Sequence, residues 1–236
     1  MRILVLADIH ANWTALSALA AAEDTFDACI CAGDIVDYGT QPQECIDWVR
    51  KHCEATVRGN HDHAVAQRVA PRGGNGFRRL AAETRPLHFD RLDQESISWL
   101  ARLPVTRYID LDGYSFFLVH ATPYDPMDEY LVTHDEWAVR LEGIDADFVC
   151  VGHTHIPMHI HIGDTQLINP GSVGQPRDGN PTASYAIIED GKVELRRVEY
   201  DIDAELELVR NSGVDTDALE IAERVLTTGQ LLKTPS

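Results

Sequence analysis

An α/β fold, two sheets packed face to face with helices outside, is the class this sequence predicts. Three observations predict it. Residues 1–58 alternate short apolar runs with helical patterns. Residues 105–198 are a succession of strand-like runs separated by turn residues. The chain has 236 residues, enough to bury a core of that size.

Taken in order, the apolar run 3–7 reads as a buried strand that stops at Asp8. Residues 13–22 are rich in Ala and Leu and read as a helix. A second strand is expected at 28–31. A helix at 42–53 follows, with Pro42 in its first turn. A third strand is expected at 55–58. This alternation implies right-handed crossovers and a mostly parallel sheet. Residues 61–104 read as mainly helical, with a glycine break at Gly73-Gly74. Strands are then expected at 105–110, 114–120, 148–151, 158–162, 166–169, 185–189 and 193–198. Asp112-Gly113 and Asp190-Gly191 are turn signals, the latter a good hairpin signal. The segment 203–226 reads as a helical tail polar enough for the surface. No repeat or low-complexity linker interrupts the chain, so a single domain over 1–236 is expected, with its core at 1–198.

The formal charge is −18. A surface that acidic disfavours bulk nucleic acid and anionic membranes, although a local cation can reverse the field inside one pocket. No apolar run approaches bilayer length, and Asp8 interrupts the short N-terminal one. The expectation is a cytoplasmic protein. The five cysteines show no CxxC spacing, and Cys29 and Cys31 should share one strand face. Buried free thiols are the expected account.

The predicted strands end alike. Asp8-Ile9-His10, Gly33-Asp34-Ile35-Val36-Asp37, Gly59-Asn60-His61-Asp62, Val119-His120 and Gly152-His153-Thr154-His155 each follow a strand. The carboxyl ends of strands are where open α/β sheets bind ligands. One such Asp or His alone is an ordinary buried residue with a satisfied hydrogen bond. Gathering this many on one rim costs desolvation energy unless something binds them, and a pair of divalent cations would. Carboxylate, amide and imidazole donors suit Mn, Fe, Zn or Co better than Ca, and the lack of thiolates argues against a closed structural zinc site.

In this order, DIH, GDIVD, GNHD, VHATP and GHTH resemble the signature of the calcineurin-like metallophosphoesterases. With INPGSVGQPRDG at 168–179, the sequence is similar to the small bacterial and archaeal phosphodiesterase branch over residues 1 to about 198. The resemblance implies a four-layer α-β-β-α sandwich of two mixed sheets. It implies Asp8, His10 and His155 as ligands of one metal, Asn60, His120 and His153 as ligands of a second, and Asp34 as the bridging carboxylate. Manganese is the first expectation, with Fe, Zn, Co or Ni as alternatives. A metal-bridging hydroxide would attack phosphorus in line. His61 would assist the leaving oxygen, and Asp37 would hold the His61 imidazole.

Other residues are weighed on chemistry alone. Asn12 is either a helix N-cap or a phosphate contact. Arg58 either touches phosphate or makes an ion pair. Arg177 lies in a turn-rich segment bordering the expected pocket. Asp62 is expected to support its loop rather than react. Tyr124 and Tyr130, in the loop 121–133, either stack on a substrate base or pack. His52, His88 and His134 belong to no motif.

The leading expectation is a metal-dependent hydrolase of small phosphodiesters. A phosphomonoesterase or protein-phosphatase-like activity competes with it. However, Tyr38 stands where those enzymes usually carry a phosphate-binding Arg. A non-catalytic scaffold would be expected to lack ligands, whereas every ligand position and His61 are present. The expected partner is a small phosphate ester, with free strand edges available for a homo-oligomer.

Overall fold

The computed structural model describes residues 1–71 and 74–230. The chain opens with β1 (Arg2–Leu6), α1 (Trp13–Ala22), β2 (Ala28–Cys31), α2 (Pro42–His52) and β3 (Ala55–Thr56). Three helices follow: α3 (Asn60–Ala66), α4 (Phe77–Arg91) and α5 (Gln94–Arg102). Then come β4 (Thr106–Leu111), β5 (Tyr114–Val119), α6 (His134–Arg140), β6 (Phe148–Cys150), β7 (Met158–Ile162) and β8 (Thr165–Asn169). The chain continues through β9 (Ala183–Glu189), β10 (Lys192–Val198), α7 (Ile202–Asn211) and α8 (Thr216–Thr228).

The strands form two five-stranded sheets, ordered β10-β9-β1-β2-β3 and β4-β5-β6-β8-β7. In the first, β1, β2 and β3 are parallel and the β9–β10 hairpin is added antiparallel beside β1. In the second, β5, β6 and β8 are parallel, with β4 and β7 antiparallel at the edges. Both predicted turns close hairpins. Asp112-Gly113 and Asp190-Gly191 have positive φ at both positions, as a two-residue turn of this hand requires.

Strand alternation builds the layers. Ile3, Val5 and Ile30 face inward and pack against Phe116, Leu118, Phe148 and Ile168 of the other sheet. Leu4, Leu6, Cys29 and Cys31 face outward beneath Leu16, Leu19, Ile46 and Val49 of α1 and α2. Phe117, Val119, Val149 and Leu167 face outward on the second sheet and pack with Trp137 of α6. The result is the expected order of helix, sheet, sheet, helix. All five cysteines are free.

Three details differ from the sequence reading. The tail is two helices, because Gly213 (φ +87°) turns the chain between them. Its apolar face, including Val209, Ala218 and Ala222, is buried against Tyr38, Leu80 and Ala81 rather than lying free on the surface. Helix α6 was not anticipated. Thr133 caps it and two acidic residues occupy its first turn. The predicted glycine break falls partly on Gly73, outside the described residues. Among the described residues, no helix is long and apolar enough to cross a membrane.

Candidate metal centre and active-site cleft

The strand-end loops meet at one place, and their backbones are unusual there. Asp8, His10, Ala11, Asp34, Asp37, Tyr38, His153 and His155 all have positive φ. Non-glycine residues avoid that region unless their surroundings over-determine it. The surroundings do so here. Asp62 is fully buried, and its carboxylate accepts hydrogen bonds from the N–H groups of Asp34, Ile35 and Gly59 at 2.8–3.0 Å and Val36 at 3.3 Å. It supports the loops, as expected. Asn169 donates to Gly152 O (2.7 Å) and Thr154 Oγ1 (3.0 Å), which pins the turn carrying His153 and His155. Ser172 Oγ donates to Asp8 O (2.7 Å). Gly59 is required by close approach, since a Cβ there would lie 2.0 Å from Asp34 Oδ1.

Each central carboxylate is anchored through one oxygen and leaves the other bare. Asp34 Oδ1 accepts from His61 N–H (2.9 Å), and Asp8 Oδ1 accepts from His153 N–H (3.2 Å). Asp34 Oδ2 and Asp8 Oδ2 are buried without a hydrogen-bond partner, as is Asn60 Oδ1. The histidines repeat this arrangement. His10 Nδ1–H donates to Val36 O (3.1 Å), and His155 Nδ1–H donates to Gln175 O (2.5 Å). Both rings therefore turn Nε2 lone pairs toward each other at 3.1 Å. His120 Nδ1–H donates to Ala32 O (2.8 Å), which leaves Nε2 3.2 Å from Asp34 Oδ2 without hydrogen-bond alignment.

Bare oxygens and opposed lone pairs in a buried site are a poor arrangement by themselves and a good one around cations. The donors form two groups able to hold a metal ion: Asp8, His10 and His155, and Asp8, Asp34 and His120. Asp34 Oδ2 lies 3.8 Å from His10 Nε2 as well as 3.2 Å from His120 Nε2, so it stands between the groups. Crowding of these buried charges shifts their titration. Burial, with Asp34 nearby, pushes the Asp8 carboxyl up to about 7. Burial opposes charge on His120, yet the Asp34 carboxylate raises it to about 10. Burial holds His10 and His155 well below the usual histidine range and lowers His153 to about 4.

Asn60 and His153 line the adjoining cleft, which has a volume of about 850 Å³. The His153 ring is 5.2 Å from that of His120, and its Nε2–H donates to Asp128 O at 3.3 Å. His61 stands in the same cleft. Its Nδ1–H donates to Asp37 Oδ2 at 2.7 Å, which leaves Nε2 available to a ligand. Burial opposes charge on this ring, but Asp34 and Asp37 raise its pKa. Burial likewise opposes charge on Asp37, but His61 and Arg85 together hold that carboxyl well below the usual range.

The remaining sequence candidates separate. Asn12 is the N-cap of α1: its Oδ1 accepts from Ala15 N–H (2.9 Å) and its Nδ2 donates to Gly174 O (3.0 Å). Arg58 points away from the cleft and donates to Ala101 O (2.9 Å). Arg177 lines the cleft. Its guanidinium lies 4.0 Å from the centre of the Phe77 ring, and its Nε is buried without a partner. Tyr130 also lines the cleft and donates its hydroxyl to Thr154 O (2.8 Å), whereas Tyr124 is exposed beneath Arg140.

Thr84, Arg85 and His88 were not anticipated at the site. All three are buried on α4 and reach the Asp37 loop. The available signal was their spacing: polar residues at 84, 85 and 88 share the buried face of α4 with Leu80 and Ala81.

The family model of the calcineurin-like phosphoesterase superfamily domain matches residues 1–191. An uncharacterized protein of Methanocaldococcus jannaschii is 35% identical over 221 residues, covering 85% of this chain and 88% of the relative. The phosphodiesterase YfcE of Escherichia coli is 24% identical over 195 residues, covering 80% of this chain and 88% of the relative. The crystal structure of a metallophosphoesterase from Sphaerobacter thermophilus superposes with a TM-score of 0.83 at 33% identity, covering 97% of this chain and 99% of that one.

Proposed function

The chain belongs to the calcineurin-like phosphoesterase superfamily, and from that membership we propose that it hydrolyses phosphodiester bonds of small substrates with the help of two divalent cations. The observation that carries the reading is the facing pair of Nε2 lone pairs on His10 and His155, 3.1 Å apart beside bare carboxylate oxygens. A cation would satisfy all of these donors at once, and no group among the described residues does.

Asp8, His10 and His155 would hold one cation, and Asn60, His120 and His153 the other, with Asp34 shared between them. When bound, the cations supply positive charge to the phosphate oxygens and lower the pKa of the attacking water. The protein's own groups do the rest. Backbone N–H groups fix Asp8 and Asp34, so the donors need no reorganisation when substrate arrives. His61, with Nδ1–H committed to Asp37, presents Nε2 to the leaving oxygen and donates a proton there. Arg177 offers an unpartnered Nε–H to a non-bridging phosphate oxygen. The oxygen and nitrogen donor set favours Mn, Fe, Co or Zn, and manganese is the first to test.

The cleft beside the donors, about 850 Å³ in volume, has room for both substituents of a diester. The similarity to YfcE, a phosphodiesterase by name, supports the same choice. The test is hydrolysis of bis(4-nitrophenyl) phosphate and 4-nitrophenyl phosphate by manganese-loaded protein, with Asp34→Ala as control. Turnover of the diester that is abolished in Asp34→Ala is expected. Faster monoester turnover would overturn the diester preference. No turnover of either ester at full metal loading would overturn the reading.

A further inference from the structure

We propose that helix α4 is the positioning element of the Asp37–His61 pair, with Arg85 as its operative residue. The inference rests on the functional reading above, and it assigns a role to a helix that carries none of the motifs.

The turn formed by residues 37–40 is held partly by its own backbone, Gly39 N–H donating to Asp37 O at 2.8 Å and to His10 O at 2.9 Å, and partly from outside. Asp37 and Tyr38 are consecutive left-handed residues, at φ +75° and +63°. Within the turn, Asp37 Oδ1 accepts from Tyr38 N–H at 3.1 Å. Most of the other support comes from one face of α4. His88 Nδ1 accepts from Asp37 N–H at 3.2 Å, and its Nε2–H donates to Gly39 O at 2.9 Å. Arg91 donates to Thr40 O. Thr84 Oγ1 reaches Asp37 Oδ1 at 3.5 Å. Residues 84, 85, 88 and 91 fall one helical turn apart or less, so a single stripe of α4 grips the whole turn.

Arg85 does what the others cannot. Its Nε–H and Nη2–H both donate to Asp37 Oδ2, at 2.8 and 2.6 Å. That same oxygen accepts from His61 Nδ1–H at 2.7 Å. Oδ2 is thus held on one side by a forked guanidinium and presents its remaining lone pair to the imidazole. Asp37 is fully buried and Arg85 is nine-tenths buried. Taking Arg85 away would leave Asp37 Oδ2 held by His61 alone, and the imidazole would lose the fixed partner that aims it into the cleft. A lysine has the charge but not the fork, so it should restore the aim only in part.

Arg85 also borders the cleft, so a direct contact with substrate is the rival account. The two accounts differ in what they make the reaction sensitive to. A residue acting through His61 matters most when the leaving group needs a proton, whereas a phosphate contact matters equally for every leaving group.

The experiment uses manganese-loaded wild type, Arg85→Ala, Arg85→Lys, His61→Ala and the Arg85→Ala/His61→Ala double variant, with metal content and thermal unfolding recorded for each. Substrates are bis(4-nitrophenyl) phosphate, with a good leaving group, and diphenyl phosphate, with a poor one. For diphenyl phosphate, Arg85→Ala should lower kcat by about 10²-fold, the usual scale of a lost general acid. For the nitrophenyl ester the loss should be several-fold smaller, with KM nearly constant for both. Arg85→Lys should recover part of the loss. Adding Arg85→Ala to His61→Ala should cost almost nothing further. Equal losses on the two esters, a change confined to KM, or full additivity with His61→Ala would overturn the proposal. If Arg85→Ala does not fold, Arg85→Lys carries the same leaving-group comparison, and an equal loss on both esters overturns the proposal there too. Inactive wild type at full metal loading would overturn the phosphodiesterase reading itself, which separates that failure from a failure of the Arg85 assignment.

Discussion

The two sheets bring different chemistry to the cleft. Loops from the first sheet supply Asp8, Asp34 and Asp37 together with His10, Asn60 and His61. Loops from the second supply His120, His153 and His155, all imidazoles. The negative charge at the centre therefore comes from one sheet, and the other sheet adds imidazoles. Backbone strain divides in the same sense: Asp8, His10, Ala11, Asp34, Asp37 and Tyr38 are left-handed on the first side, against His153 and His155 on the second. The lesson is a division of labour. On the proposed reading, the first sheet would supply the charge that attracts a cation, and the second would complete its coordination. The apolar layer between them, Ile3 and Val5 against Phe116 and Leu118, sets how far apart the two donor sets stand.

That division can be broken most severely at Asp34. Asp34→Ala removes the oxygen that stands between His10 and His120, the proposed bridge, and we expect loss of tightly bound manganese and a fall in kcat of about 10³-fold or more. Metal analysis after gel filtration, alongside the diester assay, checks both. His120→Ala comes next. It removes one imidazole and leaves both carboxylates, so one metal equivalent should weaken by more than the roughly 10- to 100-fold that losing a ligand's hydrogen-bond partner costs. If His120→Ala strips both metals as Asp34→Ala does, the division of labour is wrong.

The supports give smaller effects, on stability. Asp62→Ala leaves the buried N–H groups of Asp34, Ile35 and Gly59 without an acceptor, and should lower the unfolding free energy by about 4 kcal/mol. Urea denaturation measures it. A buried carboxyl on the docked tail, which lines a small cavity together with His10 and Asn12, supplies the contrast. Glu205 on α7 is buried and accepts from Thr14 Oγ1 at 2.7 Å, and burial raises its pKa to about 7. Below its ordinary value near 4.5 the carboxyl is protonated in folded and unfolded chains alike. Between there and about 7 only the unfolded chain ionises, so stability falls as pH rises. Above that the loss is complete, on the order of 3 kcal/mol. Glu205→Gln should flatten this dependence when unfolding is followed at pH 5 and pH 8.

How much of this was legible in the sequence depends on where each residue sits relative to a strand. Asp8, Asp34, Asn60, His120 and His153 were legible because each stands just past a short apolar run, and parallel neighbours bring such ends together. The hairpins were legible because Asp-Gly pairs suit their backbone. Arg85 and His88 were not legible, because they act through a helix face meeting a turn 48 or more positions earlier, and no local pattern reports such a contact. The docked tail was misread for a related reason. Its apolar stripe is narrow, and only the Tyr38 side of the cleft reveals what that stripe covers. Asn12 was undecided between two roles because a helix start and a phosphate contact ask for the same side chain, and the Ala15 hydrogen bond settles it as a cap.

The central claim is that Asp34 links two cations held by donors from both sheets. Electron paramagnetic resonance of manganese-loaded protein tests it most directly. Two manganese ions per chain with an exchange-coupled spectrum, replaced in Asp34→Ala by the uncoupled signal of free or singly bound ion, is the predicted result. An uncoupled spectrum in the wild type at saturating manganese, or binding that stops at one ion per chain, would contradict it.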